Sequence, residues 1–88
     1  MMKTRPVPKW IMQRYAVLWH KFKEKEFTYL EISKLFTKDS DNLRRALISQ
    51  LRINGWLKVK LNSKDSRKRT FRLKSPEEAV REMREEDG

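Results

Sequence analysis

The stretch LRRALISQLRINGWLKVKL, residues 43–61, changes its period at Gly55. Before it, apolar residues recur at three- and four-residue steps, at Leu43, Leu47, Ile48 and Leu51. After it they alternate, with Leu57, Val59 and Leu61 on one face and Lys58 and Lys60 on the other. A helix repeats every 3.6 residues and a strand every two, so a helix must end here and a strand begin. Asn54–Gly55 is the stop, since glycine suits the left-handed position that follows a helix. A second alternating run follows, with Phe71 and Leu73 against Thr70 and Arg72, and the two runs read as a hairpin. No Asn-Gly or Asp-Gly joins them, so the connection exceeds a tight two-residue turn. It spans Asn62 to Lys68, protrudes, and holds KDSRKR, four cations in six positions.

Two helices precede this unit. Ile11, Tyr15, Leu18, Trp19 and Phe22 make an amphipathic helix running from near Pro8, a residue favoured at the first helical position, to about Lys23. Arg14 falls on its wet side. Phe27 is either a short strand or a plug. Thr28 and Glu31 then form a capping box for a short second helix that buries Ile32, Leu35 and Phe36. In the turn TKDSDN, Asp39 or Ser40 takes the next N-cap, and Asp41 favours the positive helix end. After the hairpin, Ser75, Pro76 and Glu78 signal a fourth helix. Its apolar residues are only Ala79, Val80 and Met83, which leaves open whether it packs weakly, frays or pairs with a second chain.

At 88 residues the chain has room for one small domain. The absence of cysteine removes disulfides and thiolate metal sites, and a lone His20 makes no zinc site. No apolar run is long enough to span a membrane, and no signal-like stretch follows the basic N-terminus. The net charge is +10, which points to a polyanionic partner. The distribution sharpens this. Residues 1–25 carry +6, residues 26–56 carry +1, residues 57–75 carry +7 and residues 76–88 carry −4. A surface built for solubility alone mixes its signs. Nothing suggests an enzyme: there is no phosphate-binding glycine loop, cysteine nucleophile or metal-ligand cluster, and neither cofactor nor small-molecule ligand is expected.

The order helix, short strand or plug, helix, turn, helix, glycine, hairpin resembles the winged helix-turn-helix domains of small prokaryotic-type transcriptional regulators. TYLEISKLF, LRRALISQLRINGWLKVKL, the basic loop and RTFRL carry the resemblance, over about residues 9–74. It implies an α+β fold: a three-helix bundle with a helix-turn-helix and a C-terminal β-hairpin wing, plus a short C-terminal helix. The organisation is then a basic arm at 1–8, the winged domain at 9–74 and an acidic helix or tail at 75–88. In that family the third helix enters the DNA major groove and the wing lies along the backbone or minor groove. Arg44 departs from the pattern, standing where members often carry a small apolar residue eleven positions before the glycine.

With Leu43, Leu47, Ile48 and Leu51 turned inward, the opposite face of the third helix presents Asn42, Arg45, Ser49 and, at its edge, Arg52. Arginine grips the two acceptors of guanine and asparagine pairs with adenine, so these four are the expected base readers. Arg44 lies nearer the buried side and is expected to extend its long stem to a phosphate. Lys58, Lys60, Lys64, Arg67, Lys68, Arg69 and Arg72 are the expected backbone contacts of the wing. Lys3, Arg5 and Lys9 form the arm. Each basic group is also readable as a solvated surface cation, and Trp10 as either core or a stacking platform. The expected function is a cytoplasmic, nucleoid-associated, sequence-specific duplex-DNA binder, with a homodimer through the fourth helix left open. The alternatives are an architectural DNA or structured-RNA binder, and a protein-interaction module.

Overall fold

The computed structural model describes residues 4–61, 64 and 68–87. Among these the chain is α+β, with four helices and one two-stranded antiparallel hairpin: α1 (Lys9–Phe22), α2 (Tyr29–Leu35), α3 (Asp41–Ile53), β1 (Leu57–Leu61), β2 (Arg69–Leu73) and α4 (Pro76–Asp87). The capping chemistry reads as the sequence implies. Thr28 and Glu31 close a reciprocal capping box on α2. Ser40, rather than Asp39, caps α3, its hydroxyl accepting from Leu43 N at 3.1 Å. Ser75 accepts from Glu78 N at the start of α4. Pro8 stands one position outside α1, as its N-cap.

The change of period at Gly55 has a specific geometry. Gly55 has φ 82. Gly55 N donates to Arg52 O at 3.2 Å and Trp56 N to Leu51 O at 2.8 Å. These are the two bonds of a Schellman ending, which satisfies carbonyls that the helix would otherwise leave bare. The chain then enters β1, paired with β2 so that Leu57 faces Leu73, Val59 faces Phe71 and Leu61 faces Arg69. Phe27 is the plug, and in place of a strand it makes one isolated antiparallel bridge. It bridges Phe71 through two backbone bonds of 2.9 and 2.7 Å, and its ring is buried, stacked on Phe22 with centroids 4.5 Å apart.

Ile11, Tyr15 and Leu18 of α1, Ile32 of α2, Leu47 and Leu51 of α3, and Trp56, Leu57, Phe71 and Leu73 form one core. Two expectations need correction. Leu43 is only half-buried at the start of α3 and is not part of this core. Leu61 keeps the expected apolar face of β1 and is 56 % exposed. Arg14 also leaves the wet side of α1. Its Nε and Nη2 bind both oxygens of Asp39 at 2.8 and 2.9 Å. That paired hydrogen bond, ahead of simple attraction, holds the Asp39 carboxyl below its ordinary range and raises Arg14.

The first described residues are strapped down. Arg5 N donates to Asn54 O at 2.8 Å, and Trp56 Nε1 donates to Arg5 O at 2.6 Å, so this segment clasps the corner between α3 and β1. Thr4 is buried. Its hydroxyl donates to Glu82 Oε2 at 2.5 Å and accepts from Lys74 Nζ at 2.9 Å. Lys74, 7 % exposed, also pairs with Glu82, and its carbonyl accepts from the Tyr15 hydroxyl. The Lys74 and Thr4 hydrogen bonds hold the Glu82 carboxyl below its ordinary range, and burial pushes Tyr15 up to about 12. This cluster fastens α4, which also buries Ala79 and packs Met83 against the core while Val80 faces outward. No helix among the described residues is long and apolar enough to cross a membrane.

Candidate functional site

Leu47 and Leu51, both fully buried, fix the rotation of α3 and so decide what it shows to the outside. Arg45, Ser49 and Arg52 face an open groove of about 1200 Å³. The start of α2, with Thr28, Tyr29 and Leu30, borders it on another side. The hairpin closes it with Lys60, Leu61, Lys68 and Arg69. The floor is apolar, made by Ile48, Val59 and Phe71. Among the described residues, five cations therefore converge on one concavity, against a single lining carboxylate, Glu26. Low-dielectric walls beneath convergent like charges strengthen the field a bound anion would meet.

Two of the cations are held by neighbours. Arg45 Nε lies 3.0 Å from Asp41 Oδ2, one turn back along α3. The other oxygen of Asp41 accepts a hydrogen bond from the Tyr29 hydroxyl. Lys60 Nζ stands 3.6 Å from Glu26 Oε1. All these side chains remain reachable; that of Arg45 is 73 % exposed.

The remaining expected residues divide. Asn42 is exposed in the first turn of α3 but does not line the groove. Lys58 and Arg72 face each other across the hairpin on its outer surface, away from the groove lining. Lys64 is exposed in the hairpin loop, and Arg67 lies outside the described residues. Arg44 is turned to another task. Its Nη1 donates to Phe36 O at 3.0 Å, a carbonyl left by the end of α2, and to Asp39 O at 2.5 Å, in the turn that follows. The guanidinium expected at a phosphate thus holds the turn between α2 and α3. Lys3 of the arm is outside the described residues, while the Arg5 and Lys9 side chains are exposed. Trp10 packs partly against the core, with the Arg14 guanidinium 5.4 Å from its ring centroid.

Sequence reasoning missed Tyr29, Glu26, Leu30 and Leu61 as groove residues and read Asp41 only as a helix-end acid. The spacing of Asp41 and Arg45, four apart on one helix, was the available signal for their pairing. Tyr29 gave none, because its contact depends on how α2 crosses α3. Among the described residues no group of three or more His, Cys, Asp or Glu stands ready to hold a metal ion. A scan against protein-family models, a search of curated proteins and a search of solved structures each returned no match.

Proposed function

We propose that this chain is a winged helix-turn-helix protein that binds duplex DNA and reads its sequence, as a small transcriptional regulator does. The observation that carries the reading is the groove. It joins Arg45, Ser49 and Arg52 of α3 to Lys60, Lys68 and Arg69 of the hairpin on one cationic surface. In this reading α2 and α3 are the helix-turn-helix pair, α3 enters the major groove, and the hairpin is the wing against the adjacent backbone. Arg45 and Ser49 meet base edges, with Arg52 beside them. Lys60, Lys68 and Arg69 meet phosphates. No residue is assigned a catalytic role.

Fluorescence anisotropy of a labelled random duplex, repeated over a salt series, tests this. Each neutralised phosphate contributes about −0.9 to the slope of log K against log salt, so the three groove cations that meet phosphates give about −2.7. Arg45→Ala should then relax the sequence preference while leaving most of the non-specific affinity. Absence of binding at low salt would remove nucleic acid as the partner and leave the groove for an acidic protein surface.

A further inference from the structure

Arg45 is held in a way that the fold alone does not require. An exposed pair between residues four apart on a helix contributes little stability. Here, however, the carboxylate is fixed from a second element. Asp41 Oδ2 lies 3.0 Å from Arg45 Nε, while Oδ1 takes the hydroxyl of Tyr29, which belongs to α2. The orientation of the carboxylate is therefore set by the packing of α2 on α3. Tyr29 and Arg45 line the same groove.

A guanidinium has two hydrogen-bonding edges. The ion pair engages the side edge, at Nε. The end edge, Nη1 with Nη2, is directed away from Nε, and its two donors match the O6 and N7 acceptors of guanine in the major groove. A flexible arginine must give up rotamer freedom to reach them; one already braced at Nε gives up less. The brace also puts a negative charge beside the expected phosphates, which weakens non-specific attraction.

We infer that Asp41, set by the Tyr29 hydroxyl, is a positioning residue that aims the end edge of Arg45 at guanine. Guanine preference is then a property of the Tyr29–Asp41–Arg45 relay. The inference rests on the duplex-DNA reading and adds to it a base and a mechanism of selection. It makes two effects of one substitution run in opposite directions. Removing the charge of Asp41 should raise affinity for random duplex and lower discrimination for guanine. An acid serving only the α3 dipole would, on removal, lower the melting temperature and leave base preference alone.

The test uses the full chain and duplexes selected from a random pool. Replacing one guanine at a time by 7-deazaguanine removes the N7 acceptor without changing base pairing. In the wild type, one position should lose about tenfold in affinity, the lower part of the range for a bidentate contact. In Asp41→Asn that penalty should shrink to about threefold or less while random-duplex affinity rises about twofold. Tyr29→Phe, which loses only the hydroxyl, should shift the penalty the same way by a smaller factor, and it decides the matter if Asp41→Asn fails to fold. An unchanged 7-deazaguanine penalty in the variants overturns the relay, as does a wild type that binds duplex with no guanine dependence; in both cases DNA binding itself stands. A wild type that binds no duplex overturns both readings.

Discussion

Arg44 shows how one side chain can be claimed by two readings. By position it extends from the inner edge of α3, where a long stem could carry its charge to a phosphate. By contact it donates to Phe36 O and Asp39 O and closes the turn. Arg44→Ala should cost about 1–3 kcal/mol in chemical denaturation, because it strips donors from partly buried carbonyls. It should leave the salt slope of DNA binding unchanged; a loss of about one unit would restore the phosphate role. Glu82 belongs to the same scale. Its folded carboxyl is held below the ordinary range, chiefly by Lys74, so the ionised form is the one that stabilises. That stabilisation is present above the unfolded carboxylate range and is lost as pH falls through the depressed folded value. Glu82→Gln should therefore lower stability at neutral pH and flatten the decline of stability below about pH 4.5, measured by urea denaturation across a pH series.

At the scale of elements the sequence was most informative where chemistry is local. The period change at Gly55, the Thr28–Glu31 box and the Ser75 cap all act within five residues, and each stands as read. Gly55→Ala should cost about 1–2 kcal/mol, since a Cβ is penalised at φ 82, with thermal melts as the check. What the sequence could not supply was depth and partnership. Alternation told which face Leu61 takes but not that its side chain stays exposed at the end of β1. Arg14 and Asp39 lie 25 positions apart and Thr4 and Glu82 lie 78 apart, and no spacing rule joins them. The candidate site was legible to the same degree. The α3 period turned Arg45, Ser49 and Arg52 outward together, while the groove's far wall depended on how the hairpin folds back. Lys58 and Arg72 lie outside that groove: strand alternation separates them from the core face without saying which outer surface meets a partner.

For the whole molecule, the charge map and the packing map meet at the two ends of the described chain. The first described segment meets the last helix through the Thr4 hydroxyl, which joins the Lys74–Glu82 ion pair in one cluster. Glu82, one carboxylate of α4, is thereby engaged away from the cationic groove of α3 and the hairpin. The Thr4–Glu82 contact also has a kinetic meaning. It closes a loop of nearly the entire chain, and the entropy of such a closure favours its forming only after the nearer contacts have gathered the chain. The clasp should then be absent from the folding transition state. In a chevron experiment, Glu82→Gln should speed unfolding by nearly its full equilibrium effect and leave the refolding limb where it was. A chain fastened last is released first, so this clasp sets how long a folded molecule persists more than how quickly it forms.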